Sequence, residues 1–136
     1  LHSFLFGDTR YTSQTVSGID DMGMEDEDVV LLAKVIPRVK QTFVYEYDFG
    51  DSWMHEIVVE EFLPLDSRAK YPVCLDGARA CPPEDCGSFS GYMSILKALK
   101  AARKTVEQAE ILDWLGDNYD PERFDLESVN RQLSKM

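Results

Sequence analysis

Three cysteines and one histidine are the residues of this chain best suited to bind a transition metal. Cys74, Cys81 and Cys86 follow a C-x6-C-x4-C spacing in a segment without periodicity, and His55 lies in an earlier strand-like stretch. Zinc favours thiolate and imidazole ligands, and an aperiodic segment gains most from a metal that pins it. The pattern predicts a zinc site of these four residues, with His2 as an alternative fourth ligand. The C-x2-C pairs of common zinc modules are absent, so thiols that pack as small apolar side chains are the competing interpretation.

A second set of residues could perform metal-assisted hydrolysis. Asp48, Asp51 and His55 surround one short turn, and Glu84 and Asp85 could approach from the cysteine segment. Carboxylate oxygens bind hard cations such as Mg²⁺, and the bound cation can activate water. Each residue also has a structural explanation, because aspartates cap turns and acidic residues after a Pro-Pro pair suit the first turn of a helix. His55 shares a strand face with apolar residues, which favours a histidine that faces the core.

Two further kinds of site have less support in the sequence. Cys81 or Cys86 could act as a nucleophile with His55 as its base, but no local pattern orders such a pair. The acidic segment at residues 13–28 could hold calcium, but it lacks the ligand spacing of a calcium loop. An exposed loop is the favoured interpretation of that segment.

The elements that must position these residues are strands in the first half and helices in the second. Period-two alternation predicts strands at residues 2–6, 10–12, 41–47 and 53–62, and period-3.6 patterns with capping signals predict helices at 29–36, 88–103, from 105 and from 125. The last two long strands flank the turn at residues 48–51, so they form an antiparallel hairpin. We therefore expect an α+β fold, with a mainly antiparallel sheet, this hairpin at its centre, and the C-terminal helices packed on its aromatic face.

Composition narrows the function classes. The 136 residues fit one domain, and 25 Asp and Glu against 14 Lys and Arg give a net charge of −11. Such a field repels phosphate backbones, which argues against direct nucleic-acid binding and favours a basic protein partner. No apolar run reaches the roughly 18 residues of a membrane span, and the first residues lack a secretory pattern. Three cysteines, an odd number, favour a reducing compartment, which we take to be the cytoplasm.

Two long motifs are distinctive enough to compare with known families: YEYDFGDSWMH at residues 45–55 and CLDGARACPPEDCG at residues 74–87. Together with Gly91-Tyr92, Phe124-Asp125 and Val129-Asn130, they resemble the plasmid pRiA4b ORF-3-like family over essentially the whole chain. The resemblance implies an α+β fold and a prokaryotic plasmid or transposon setting. The start of the chain looks like the end of the family's HLH-x-F segment, so we expect a single domain over residues 1–136 that lacks an N-terminal strand–helix unit.

The resemblance does not imply a chemistry, because membership of a fold does not establish a function. Two hypotheses therefore stand. The first is a non-catalytic interaction or accessory module of plasmid- or transposon-associated systems, with zinc as a candidate stabilising cofactor. The alternative is a metal-dependent hydrolase that uses Asp48, Asp51 and His55.

Overall fold

The computed structural model describes residues 1–13 and 23–135, which form two compact units, Leu1–Leu63 and Pro64–Met136. Unit 1 contains a five-stranded sheet, and the three longest helices lie in unit 2. This arrangement confirms the α+β class and the C-terminal position of the helices. None of the helices in the described ranges is long and apolar enough to cross a membrane.

The sheet of unit 1 has the strand order β3-β2-β1-β4-β5. Its strands are β1 (His2–Phe6), β2 (Thr9–Thr12), β3 (Glu25–Asp26), β4 (Thr42–Tyr47) and β5 (Trp53–Val58). β2 and β3 pair in parallel and the other pairs are antiparallel, so the sheet is mixed. Within the described residues β1 is the central strand and β5 lies at an edge, so the prediction of a central hairpin is wrong. β1 pairs with strands on both of its sides, and this displaces the hairpin from the centre.

Aromatic side chains cover one face of this sheet. The ring centroids of Phe4 and Tyr45 are 4.9 Å apart, and those of Phe6 and Phe43 are 4.5 Å apart. Tyr11 on β2 extends this row, with its ring 5.9 Å from that of Phe6. Such ring pairs stabilise a sheet beyond the area that they bury. The predicted aromatic face of the hairpin therefore continues onto β1 and β2.

The opposite face of the sheet carries a buried polar cluster. Ser3 is 1% exposed, and its hydroxyl accepts a hydrogen bond of 3.1 Å from Arg10. Arg10 forms an ion pair with Glu46, which also accepts a 2.7 Å hydrogen bond from Ser52. Hydrogen bonds from Ser52 and Arg10 hold the pKa of Glu46 below its ordinary value, against the opposing effect of burial. The cluster ties β1, β2 and β4 together on that face.

The helical segment of unit 1 is shorter than predicted. A 3₁₀ helix spans Glu27–Val29, capped by the Asp26 side chain, and α1 spans only Leu32–Val35. Val30 and Leu31 between them are extended, so the predicted single helix at residues 29–36 is wrong. β-branched residues there lower the helix propensity.

Unit 2 contains α2 (Ser88–Lys100), α3 (Val106–Leu115) and α4 (Leu126–Leu133). The predicted capping box is present at the start of α3, where the Thr105 side chain accepts from the Gln108 amide and the Gln108 side chain accepts from the Thr105 amide. Asp125 caps α4 through the Ser128 amide, and this bond lowers the pKa of Asp125. These caps confirm the start signals that the sequence carries.

Candidate functional site

Asp48 acts in the structure as a turn residue. Its backbone is left-handed, with φ +56°, and its side chain accepts a 3.0 Å hydrogen bond from the amide of Gly50. Its carbonyl accepts from Ser52, 2.5 Å away, and its amide donates to the carbonyl of Leu1 over 2.8 Å. Aspartate suits this role because it tolerates the left-handed region and caps its own turn. Its structural explanation therefore holds in full.

The other hydrolase candidates occupy different surroundings. Asp51 is half-buried, whereas His55 is exposed on the edge strand β5, with Nδ1 3.3 Å from the carbonyl oxygen of Tyr45. The expectation that His55 faces the core is therefore wrong. Glu84 and Asp85 are exposed and precede α2, which begins only at Ser88, so they do not form its first turn.

The three cysteines have separate environments, and no disulfide joins them. The Cys74 thiol lies 3.3 Å from the carbonyl oxygen of Asp76, Cys81 is exposed, and Cys86 is buried. Across residues 1–13 and 23–135, no three His, Cys, Asp or Glu side chains are grouped so that they could hold a metal ion. The zinc set and the hydrolase set each combine residues of both units, and both remain predictions.

An open apolar groove of about 380 Å³ runs over the aromatic face of unit 1. Its floor is the sheet, and its wall is the segment that contains the 3₁₀ helix and α1. The lining residues are Phe4, Phe6, Tyr11, Glu27, Val30, Leu32, Val35, Phe43 and Ile57. Glu27 is the one charged residue in this lining. We call this feature the apolar groove.

Charge is distributed unevenly around the apolar groove. At the start of β1, Glu27 lines the groove and lies 3.0 Å from Nε2 of His2. The neighbouring residues in sequence add three further carboxylates, Glu25, Asp26 and Asp28. Burial raises the pKa of Tyr45, and the negative charge of Glu27 raises it further. This end of the groove is therefore acidic.

Cations gather at the other end of β1. Lys34, Arg38 and Lys40 line a recess of about 710 Å³ with Gly7, Val35, Pro37, Val39, Gln41 and Thr42. We call it the basic recess. Val35 lines both the recess and the apolar groove, so the two features adjoin. The sequence analysis predicted neither feature. The three cations between residues 34 and 40, in the otherwise acidic first half of the chain, could have indicated the recess.

A comparison with models of known protein families identifies the family of this chain. The model of the plasmid pRiA4b ORF-3-like protein family matches residues 1–128. The chain belongs to the plasmid pRiA4b ORF-3-like family. It is similar to the uncharacterised protein y4hQ of Sinorhizobium fredii (strain NBRC 101917 / NGR234), with 34% identity over 109 residues, 79% of this chain and 55% of that protein. It thus spans about half the length of this curated relative.

A solved structure has the same fold. It is a protein of unknown function, MM3350 from Methanosarcina mazei Go1, with a TM-score of 0.77 and 30% sequence identity. The match covers 93% of this chain and 70% of that one. One relative is uncharacterised and the other is of unknown function, so neither adds a chemistry to the resemblance.

Motifs of the family that are far apart in the sequence meet around residues 74–87, which we call the cysteine loop. The Asn130 side chain accepts a 2.8 Å hydrogen bond from the Cys74 amide and donates one of 2.9 Å to the Cys74 carbonyl. The phenyl ring of Phe124 covers Gly77 so closely that a β-carbon there would overlap it. The loop is therefore attached to the segment that leads into and forms α4.

Three further contacts hold the cysteine loop. The Tyr119 hydroxyl donates to the Cys81 carbonyl over 3.0 Å, and burial together with a hydrogen bond to Tyr92 raises the pKa of Tyr119. The Ala80 amide donates to the carbonyl of Pro121 over 3.1 Å. A β-carbon at Gly91 would overlap the carbonyl oxygen of Cys86, so only glycine fits where α2 passes the loop. Protein contacts thus hold the cysteine loop at several points along its length.

Proposed function

We propose that this chain is a non-catalytic interaction module of a plasmid- or transposon-associated system, acting in the cytoplasm. Its apolar groove binds an extended segment of a basic protein partner. The observation that carries the proposal is an open apolar groove with an acidic end, on a unit of strongly negative charge. Grooves of a few hundred cubic ångströms with few polar groups are typical of binding sites.

The apolar lining provides part of the affinity. Leu32 on the groove wall is 56% exposed, so a partner side chain can still remove much of its surface from water. Each fully buried aliphatic or aromatic anchor contributes about 1.5–3 kcal/mol. Two such anchors contribute about 3–6 kcal/mol, which only reaches the lower part of the roughly 4–15 kcal/mol cost of association, so the complex also needs the attraction between charges.

The charge of unit 1 selects the kind of partner. Leu1–Leu63 contains 13 Asp and Glu against four Lys and Arg, a net charge of −9 out of the −11 of the whole chain. A basic partner is therefore attracted at long range, and an acidic one is repelled. Of the eleven carboxylates of unit 1 in the described ranges, six are exposed and five are half-buried. Salt screens exposed charges, so added salt should weaken the binding.

Two neighbouring leucines allow a matched test. Leu32 lines the groove, whereas Leu31, at 66% exposure, does not. Peptides of 12 residues would be selected from a random library on the wild-type protein, and their dissociation constants measured by fluorescence anisotropy. We expect Leu32→Lys to weaken binding by about tenfold to a hundredfold, which corresponds to the loss of one anchor. Leu31→Lys adds the same charge and should change affinity less than threefold.

The selected peptides should be rich in Lys or Arg beside apolar residues, and binding should weaken from 50 to 300 mM salt. Two results would refute the proposal. The first is equal affinity of the Leu31 and Leu32 variants for every selected peptide. The second is a set of binders with no excess of basic residues and no response to salt.

A further inference from the structure

The basic recess stands out because it is positive within an otherwise acidic unit. Three of the four Lys and Arg residues of unit 1 line it, and the fourth, Arg10, is paired with Glu46. No carboxylate is among its lining residues. Among the described residues, Lys34, Arg38 and Lys40 form no ion pair. Uncompensated cations that share one recess attract an anionic group.

The recess and the acidic end lie at opposite ends of the same groove. Gly7, which lines the recess, follows the last residue of β1, while His2, which contacts Glu27, is the first. Five steps of about 3.3 Å along a strand place these ends about 17 Å apart. The groove therefore has a negative end, an apolar middle and a positive end, over the length of about five extended residues.

This order of charges restricts the occupant. A fatty acid supplies an anion and an apolar chain but nothing for Glu27 and its acidic neighbours. A nucleic acid supplies phosphates along its whole length, which the acidic end repels. An extended peptide that ends in the groove supplies all three parts: basic side chains, apolar side chains and a terminal α-carboxylate. The α-carboxylate is attached to the backbone, so it also fixes the register of the peptide in the groove.

We infer that the partner segment is a protein C-terminus, a conclusion that rests on the function proposed above. Its α-carboxylate lies in the basic recess, and its last apolar side chains fill the groove. Lys or Arg residues about four or five positions upstream face Glu27 and the acidic residues beside it. Several exposed charge pairs at the recess then contribute about tenfold to affinity.

The test uses two peptide arrays of the same random sequences, one ending in a free carboxylate and the other in a carboxamide. Both are screened on the whole chain, and the best pair is measured by fluorescence anisotropy. We expect amidation to weaken binding about tenfold on the wild type. The loss should fall below threefold on a recess variant with all three cations changed: Lys34→Gln, Arg38→Gln and Lys40→Gln.

A control variant changes the net charge equally in unit 2: Lys97→Gln, Lys100→Gln and Arg103→Gln. It should keep the tenfold effect of amidation, because these residues lie on or just after α2. The replaced side chains of the recess variant are exposed, so we expect it to remain folded, which circular dichroism would check.

The outcomes separate this inference from the proposed function. If acid and amide peptides bind equally, and Leu32→Lys still weakens both, the C-terminal inference is wrong and the interaction module stands. If no peptide of either array depends on Leu32, both fail. If a recess-dependent peptide needs an internal Asp or Glu and tolerates amidation, the anion is not the terminus. Sedimentation that shows self-association lost in Leu32→Lys would assign the groove to a second copy and overturn the inference.

Discussion

Removing the Asn130 side chain should loosen the cysteine loop and destabilise unit 2. In Asn130→Ala, the Cys74 amide and carbonyl lose the partners that lie 2.8 and 2.9 Å away. A hydrogen bond contributes a net 0.5–1.5 kcal/mol or so to stability, so the free energy of unfolding should fall by about 1–3 kcal/mol. The bonds join residues 56 positions apart, so their loss also frees a long segment.

The two tryptophans permit a measurement restricted to unit 2. Trp53 lies in unit 1 and Trp114 in unit 2, so a Trp53→Phe background leaves Trp114 fluorescence as the reporter of urea unfolding. With a slope of about 1–2 kcal/mol/M, the midpoint should fall by about 1 M. Asn118→Ala, at an exposed position after α3, is the control and should change stability by less than about 0.5 kcal/mol.

A second readout is local. Exchange of the Cys74 amide hydrogen reports on the bond that Asn130 accepts, and it should accelerate in Asn130→Ala. Asn130→Asp keeps this acceptor but places an oxygen against the Cys74 carbonyl, so it should still destabilise. Unchanged stability together with unchanged exchange in Asn130→Ala would refute the role that we assign to this side chain.

Two further predictions concern the packing of α2 and the polar face of the sheet. Gly91→Ala should destabilise unit 2 by more than about 2 kcal/mol, because its β-carbon overlaps the Cys86 carbonyl; a variant that melts like the wild type would contradict this close packing. Glu46→Gln, followed by Trp53 fluorescence in a Trp114→Phe background, should cost unit 1 about 1.5–3 kcal/mol at pH 7, because it weakens a charged hydrogen bond to Arg10. Because the folded pKa of Glu46 lies below its ordinary value of 4.5, its stabilisation is present above that pH and is lost as the pH falls through the lowered value. The free energy of unfolding of Glu46→Gln should therefore fall less steeply on acidification than that of the wild type. Equal slopes would argue against the role of Glu46.

The sequence by itself determined the local elements and the family. Strand periodicity located the hairpin strands to within a few residues, and the Thr105 capping box was recognisable because such signals act within four residues. The structural explanation of Asp48 was also available, since its hydrogen bond reaches only to Gly50. The long motifs were specific enough to identify the family, which its model confirms.

Tertiary structure decided which strands pair, what holds the cysteine loop and where the charges meet. Period-two alternation shows the two faces of a strand but not its neighbours, so neither the central place of β1 nor the exposure of His55 on an edge was predictable. Asn130 meets Cys74 only because the chain between them folds back, and no spacing rule covers 56 residues. The apolar groove and the basic recess arise in the same way. A short segment crosses the aromatic face of the sheet and leaves its acids at one end of β1 and its cations at the other.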